Sequence, residues 1–317
     1  MEYILLLVGF ILLIKGADFF VEGASSIAAT LRVPSLIIGL TIVAFGTSAP
    51  ELAVSVTSAL SNSNAIAVGN VIGSNIFNIL MVVGISALIC PLKVEKSILL
   101  KEFPFTLMGT AVLLILGYDT LLNGTNSDLL SKSDGWILLI FFGIFLYYLV
   151  ESALESRKNT KNEEDEIEKM PMSKSIIMSI GGIIGIVLGG DVVVDNATII
   201  ALSLGMTEGL VGLTIVAIGT SLPELVTSVV AAKKGESDIA LGNVMGSNIF
   251  NMFLILGVST IINPIPITAE VFTDIMFMGL TMLVAFIFAI TKRTIGRAEG
   301  GIFVVSYIAY MSYIIMR

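Results

Sequence analysis

"AFGTSAPELAVS", residues 44–55, lies within the apolar run 35–60, yet it holds a glycine, a proline and a glutamate. A near copy, "AIGTSLPELVTS", occupies residues 217–228. Segments of about 17 to 25 apolar residues are long enough to cross a bilayer. A helix breaker and a carboxylate inside such a segment are costly there and need a reason to exist.

Working outward, ten candidate spans follow: 3–22, 35–60, 66–90, 102–118, 135–151, 175–197, 208–231, 239–262, 271–290 and 300–316. The composition agrees, because 56% hydrophobic and 13% charged residues with a mean hydropathy of +0.98 describe an integral membrane protein. The first segment follows the acidic Glu2 and lacks a small-residue cleavage site, so it is expected to stay as a helix. The polar stretch 151–174 divides the spans five and five. The expected organisation is therefore a first half, 1–150, a solvated and mobile linker, 151–174, and a second half, 175–317.

Fourteen of the 17 lysines and arginines then fall on one side of the membrane, with Lys132 and Arg317 on the other and Lys15 inside the first span. The positive-inside rule makes the crowded side, with loop 151–174, cytoplasmic and places both termini outside the cell membrane. Cys90 is the sole cysteine and there is no histidine, which excludes an internal disulfide, a multi-cysteine metal site and imidazole chemistry. Any ion must be held by oxygen. The net charge of −8, without a basic patch, argues against nucleic acid. No prosthetic group, enzymatic activity or obligate protein partner is expected.

A constant offset of 173 residues relates the two halves. "GLTIVAFGTSAPE" (39–51) matches "GLTIVAIGTSLPE" (212–224) at 11 of 13 positions, and "GNVIGSNIFN" (69–78) matches "GNVMGSNIFN" (242–251) at 9 of 10. Gly16, Asp18, Val21 and Ala24 likewise match Gly189, Asp191, Val194 and Ala197. Displacement by five spans, an odd number, makes the second copy cross the membrane in the opposite sense. The predicted fold is thus an all-α membrane protein of ten transmembrane helices in two inverted five-helix repeats. Broken helices 2, 3, 7 and 8 would form an ion site near the midplane.

An ionised Glu51 or Glu224 near the bilayer centre costs at least about 2.5 to 3.5 kcal/mol, so it needs a partner or a polar cavity. No cationic side chain lies near either in the sequence, and a bound cation is the simplest partner. A protonated glutamate bonded to a neighbouring helix is the plainer alternative. Pro50 and Pro223 are expected to leave carbonyls around Ala44–Thr47 and Ala217–Thr220 without helical partners, unless they only kink the helices for packing. Thr47 and Ser48 precede Glu51 by four and three residues, as Thr220 and Ser221 precede Glu224, so their oxygens share a helix face.

Asn70, Ser74 and Asn78, and likewise Asn243, Ser247 and Asn251, form stripes at intervals of four. Such stripes can glue helices together, the expected role of Asn75 and Asn248. Beside two glutamates, Ser74, Asn78, Ser247 and Asn251 read better as ligands or supports of ligands. Gly69, Gly73, Gly242 and Gly246 suit close helix packing. Six to eight oxygens including two carboxylates suit Ca2+, and Na+, of similar size, can use the same set. Competition for one site is what an antiporter requires.

At these motifs the chain resembles the cation/calcium exchanger superfamily, specifically its prokaryotic sodium/calcium antiporters, over essentially its whole length. The resemblance implies cation coordination by Thr47, Ser48, Glu51, Ser74 and Asn78 and by Thr220, Ser221, Glu224, Ser247 and Asn251, with the carbonyls of Ala44 and Ala217. It also implies electrogenic exchange in which Na+ entry drives Ca2+ out, with the first and sixth helices sliding against the rest. Some relatives carry an aspartate where this chain has Asn251, a departure that argues against K+ co-transport. Proton-coupled relatives tend to carry a further glutamate after their Gly-Asn, where this chain continues "GNVIG" and "GNVMG".

Three other classes remain to be distinguished. A Ca2+/H+ antiporter keeps the fold but uses protons, which can in any case compete for the glutamates. An intramembrane aspartyl protease using Asp18 and Asp191 fails its Gly-x-Gly-Asp pattern, since position 188 is leucine. A channel would conduct without a counter-ion. Asp18, Glu22, Asp191 and Asp195 read as carboxylates near helix ends that concentrate cations.

Overall fold

The computed structural model describes residues 1–124, 127–159, 170–205 and 217–316. Its long helices are α1 (Glu2–Leu31), α2 (Ser35–Thr47), α3 (Ala49–Leu60), α4 (Asn64–Ile89), α5 (Ile98–Leu116), α6 (Lys132–Asn159) and α7 (Met172–Ser203). They are followed by α8 (Leu222–Lys233), α9 (Ser237–Ile262), α10 (Ala269–Lys292) and α11 (Arg297–Met316). Among the described residues eight helices are long and apolar enough to span a membrane. The bent pair α2 and α3, meeting at 49°, supplies a ninth. The expected span 208–231 falls partly on residues 206–216, outside the described residues, and is represented by the turn Ala217–Gly219 and α8.

The structure departs from the sequence expectations in two places. Helices 3 and 8 are not broken: α4 and α9 run on through wider π-helical turns at Asn78–Val83 and Phe250–Ile255. A π turn absorbs one extra residue without ending the helix, and here it falls at the site asparagines. Second, the fifth helix does not end at 151. It continues to Asn159, because "ESALESRKN" is built of good helix formers that need no apolar face. Residues 160–169 of the expected linker lie outside the described residues.

Helices α4 and α9 are the most enclosed, whereas α6 and α11 turn most of their surface outward. The central pair runs antiparallel. Asn64, at the start of α4, donates to the Pro264 carbonyl beyond the end of α9 at 2.7 Å, and the Lys93 N–H beyond α4 reaches Ser237 Oγ at the start of α9 at 3.4 Å. Two short ribbons repeat this relation. Strand β1 (Leu92–Lys93) pairs antiparallel with β4 (Thr294–Ile295), and β2 (Leu129–Leu130) pairs with β3 (Ile265–Pro266). Leu92 and Ile265 are separated by the 173-residue repeat offset, so each half lends a strand to the other at opposite ends of the central helices.

Along one side α1 and α7 lie antiparallel at backbone contact distance. A Cβ placed on Gly16 would come within 2.8 Å of the Ile186 nitrogen, and one on Gly23 within 2.7 Å of the Ser175 carbonyl. Only glycine permits that approach, which gives van der Waals contact and backbone proximity where hydrophobic burial offers little. Large apolar side chains such as Leu7, Ile11 and Ile14 of α1 are left exposed on the outer surface, as expected where the solvent is lipid.

Gly242 and Gly246 press against α2 in the same manner: added Cβ atoms would sit 2.8 Å from the Leu36 carbonyl and 2.6 Å from Ala44 Cβ. For their repeat mates Gly69 and Gly73, the segment corresponding to α2 is 208–220, of which 208–216 lies outside the described residues. Trp136 and Tyr147 are exposed as interfacial aromatics would be, but Tyr148 turns inward to Glu102.

Candidate functional site

Two equivalent elbows carry the site. Ser48 (φ −83°, ψ 7°) separates α2 from α3, and Ser221 (φ −94°, ψ 7°) leads into α8. Pro50 and Pro223 lie in the first turn of the helix that follows, where a missing N–H costs nothing. The same turn presents Glu51 or Glu224 close to a helix N-terminus, whose partial positive charge favours an anion. Both glutamates are fully enclosed in the protein.

The wiring crosses between the halves. Ser48 Oγ donates to Glu224 Oε1 at 3.0 Å, and Ser221 Oγ donates to Glu51 Oε1 at 3.0 Å. Ser74 Oγ lies 3.0 Å from Ser221 Oγ. Since a hydroxyl has one proton, Ser74 is the donor when Ser221 serves Glu51. Ser247 Oγ approaches Glu224 Oε1 at 3.4 Å. The second carboxylate oxygen of each glutamate is buried without a hydrogen-bond partner among the described residues, and so are Asn78 Oδ1 and Asn251 Oδ1. Neither glutamate forms an ion pair among the described residues. Four acceptor oxygens, two of them on carboxylates that interact electrostatically, are thus held in the protein interior where an unpaired acceptor is expensive.

Of the expected ligand residues, Ser48, Glu51, Ser74, Ser221, Glu224 and Ser247 are joined by these contacts, while Asn78 and Asn251 bond Asn248 and Asn75. Thr47 and Thr220 also take part in a neighbouring network: their hydroxyls donate to Asn243 Oδ1 at 2.9 Å and Asn70 Oδ1 at 3.4 Å, and Thr47 also interacts with the Glu224 carboxylate. The Ala44 carbonyl, expected to be freed by the proline, accepts from the Ser48 N–H at 3.0 Å and lies 3.3 Å from the Thr47 hydroxyl oxygen. The reason is register. A proline at 50 deprives the carbonyl four residues back, at Gly46, and leaves the turn around Ala44 intact. In the second half the Ser221 N–H bonds the Ile218 carbonyl at 3.1 Å, and the side chain of Ala217 lies outside the described residues.

Asn70 and Asn243 brace the elbows. Asn70 Nδ2 donates to Ser55 Oγ at 2.9 Å and the Glu51 carbonyl at 3.2 Å, while Asn243 Nδ2 donates to Ser228 Oγ at 2.9 Å and the Glu224 carbonyl at 3.4 Å. The part played by Ser55 and Ser228 was not anticipated, although their places four residues after each glutamate and 173 apart carry the signal. Replacing Asn243 by leucine, which leaves Thr47, Ser228 and the Glu224 carbonyl without this partner, is expected to destabilise the protein by about 1 to 3 kcal/mol. Thermal unfolding in detergent checks this, and Asn70→Leu should match it because the two networks are equivalent.

Two further carboxylate groups depart from expectation. Asp18 and Glu22 are engaged by Lys234 Nζ, at 2.6 Å and 3.8 Å, and tie α1 to the end of α8. The repeat mate of Lys234 is Ser61, so Asp191 and Asp195 have no such lysine. Glu102, buried in α5 and accepting from the Tyr148 hydroxyl, has Ile275 as its repeat mate, so the repeat carries no signal for it.

Comparison with known proteins follows this geometry. The family model described as sodium/calcium exchanger protein matches residues 1–151 and 174–316, both halves of the chain. The putative antiporter CaxA of Alkalimonas amylolytica is 39% identical over 315 residues, covering 97% of this chain and 96% of its own. The sodium/calcium exchanger MaX1 of Methanosarcina acetivorans is 33% identical over 342 residues, covering 98% and 97%. Among solved structures, the sodium-calcium exchanger NCX_Mj superimposes with a TM-score of 0.84 at 34% identity, over 99% of this chain and 98% of that one. Its crystals have been soaked with Na+, Ca2+ and Sr2+. With both halves matched by one family model and full-length relatives above 30% identity, the chain belongs to the sodium/calcium exchanger protein family.

Proposed function

We propose that this chain is a secondary antiporter that exchanges Na+ for Ca2+ across the cell membrane by alternating access. The observation that carries the reading is the crossed pair Glu51–Ser221 and Glu224–Ser48. Each carboxylate is bonded by a hydroxyl of the other half and keeps one buried oxygen without a partner among the described residues. Two carboxylates neutralise one divalent ion, and the surrounding hydroxyl and amide oxygens suit either cation. Thr47, Ser48, Glu51, Ser74, Asn78 and their mates Thr220, Ser221, Glu224, Ser247 and Asn251 are the proposed ligand shell, with the Ala44 and Ala217 carbonyls joining if the elbows open.

The architecture that suits this role is the ten-span inverted repeat. The antiparallel run of α4 and α9 and the exchanged strands support it. A site built from both halves can open to either side when one set of helices shifts against the other. Lys93, Lys96, Lys292, Arg293 and Arg297 gather at the β1–β4 end, which supports a cytoplasmic assignment for that end. Net exchange then moves charge and extrudes Ca2+ when Na+ enters.

Sodium-loaded proteoliposomes diluted into sodium-free medium should accumulate Ca2+, and an outward proton gradient alone should not drive that uptake. Uptake driven by the proton gradient and indifferent to sodium would overturn the Na+ assignment in favour of Ca2+/H+ exchange on the same fold. Protons compete for the same carboxylates, so acidification should weaken apparent Ca2+ affinity and leave the maximal rate less affected.

A further inference from the structure

We infer that Asn75 and Asn248 are positioning residues that set which end of the Asn251 and Asn78 amides faces the ion. The two ends of an asparagine amide have nearly the same shape and opposite electrostatic sense. An oxygen turned to a cation attracts it, whereas an NH2 in the same place repels it. Any site that uses an amide ligand therefore needs something to hold its polarity.

Here that something comes from the opposite half. Asn251 Nδ2 donates to Asn75 Oδ1 at 3.0 Å, and Asn78 Nδ2 donates to Asn248 Oδ1 at 3.1 Å. With the nitrogens committed, Asn251 Oδ1 and Asn78 Oδ1 are left buried and without partners among the described residues, on the stripes shared with Ser247 and Ser74. The two arrangements differ in how firmly they are anchored. Asn75 Nδ2 donates to the backbone carbonyl of Asn248 at 3.4 Å and to Met278 Sδ at 3.5 Å. A backbone carbonyl only accepts, so Asn75 must turn its nitrogen there and its oxygen toward Asn251. Asn248 Nδ2 has no partner among the described residues, and the repeat mate of Met278 is Phe105. The polarity of Asn251 is thus fixed through a chain ending on the backbone, while that of Asn78 rests on one bond.

The inference rests on the reading of Asn78 and Asn251 as ion ligands, and the experiment separates the two. Sodium-driven Ca2+ uptake is measured in proteoliposomes for Asn75→Leu, Asn251→Leu, Asn251→Asp and the double variant Asn75→Leu/Asn251→Asp. Asn75→Leu should raise the half-saturating sodium concentration about tenfold, with a smaller change in maximal rate. An aspartate at 251 has two equivalent oxygens and no polarity to lose, so in that background Asn75→Leu should cost less than about threefold. Asn248→Leu should have a smaller effect than Asn75→Leu.

An equal fold-change in both backgrounds, or none in the unsubstituted protein, would show that Asn75 only packs and overturn the inference. Unchanged affinity in Asn251→Leu would instead remove the ligand reading beneath it. Should Asn75→Leu fail to fold, Asn75→Ala removes the same acceptor without added bulk and carries the same comparison.

Discussion

Glu51→Gln and Glu224→Gln should each abolish sodium-dependent Ca2+ exchange, with a fall of at least about a hundredfold, while the protein folds normally. Glutamine keeps the volume and an oxygen for the Ser221 or Ser48 hydroxyl, so the crossed hydrogen bonds survive. Only the charge is lost. Leaving one partner of a buried charge pair uncompensated costs about 3 to 5 kcal/mol, and every 1.4 kcal/mol is tenfold in affinity. Without ions the variants should be no less stable than the parent, because a buried unpaired carboxylate has been replaced by a neutral amide. Saturating Ca2+ at about 100 times its Kd stabilises a folded binder by about 2.7 kcal/mol, and that thermal shift should be present in the parent and absent in both variants. Normal exchange by either variant would remove the assignment of the glutamates.

Gly182→Leu should separate α1 from α7 and destabilise or misassemble the protein, whereas Gly181→Leu should be tolerated. The two glycines are adjacent on one helix, but only Gly182 is buried while Gly181 is exposed. A Cβ on Gly182 would lie 2.7 Å from the Phe20 nitrogen and 2.8 Å from the Gly16 carbonyl, both backbone atoms that cannot move aside. Gly181 is exposed, and a Cβ there meets nothing within 4 Å among the described residues. Overpacking of this kind costs about 1 to 3 kcal/mol or more, while leucine at the exposed position improves helix propensity and suits a lipid-facing surface. Size-exclusion profiles and thermal unfolding of the two variants check the contrast. Equal behaviour would mean that α1 and α7 are not in backbone contact.

Much of the site was legible because the sequence states it twice. The 173-residue offset identifies the glutamates, elbow serines and stripe residues together, and the helix breakers within apolar runs mark where the backbone turns. What one copy cannot disclose is the exchange between copies: that Ser48 serves Glu224 and Ser221 serves Glu51 follows only when the halves interlock.

Other features left no trace for physical reasons. The π turns at Asn78 and Phe250 lie in helices that are enclosed on nearly every side, where no apolar face exists to show a shift of phase, so the sequence predicts breaks where the helices continue. The charged end of α6 resembles a linker in composition but has strong helix propensity. The Lys234 clasp on Asp18 and Glu22, and buried Glu102, occur in one half only and are invisible to a repeat argument. The off-stripe asparagines were legible as helix glue, and the structure adds what they hold.

The shared site itself is tested most directly by equilibrium Ca2+ titration calorimetry of the purified protein over a series of sodium concentrations. One Ca2+-competitive site per chain is expected, with an apparent Ca2+ affinity that falls steadily as sodium rises and heat that vanishes in the Glu51→Gln/Glu224→Gln double variant. Calcium binding that is indifferent to sodium, or that survives loss of both carboxylates, would contradict a site in which the two ions compete for Glu51 and Glu224.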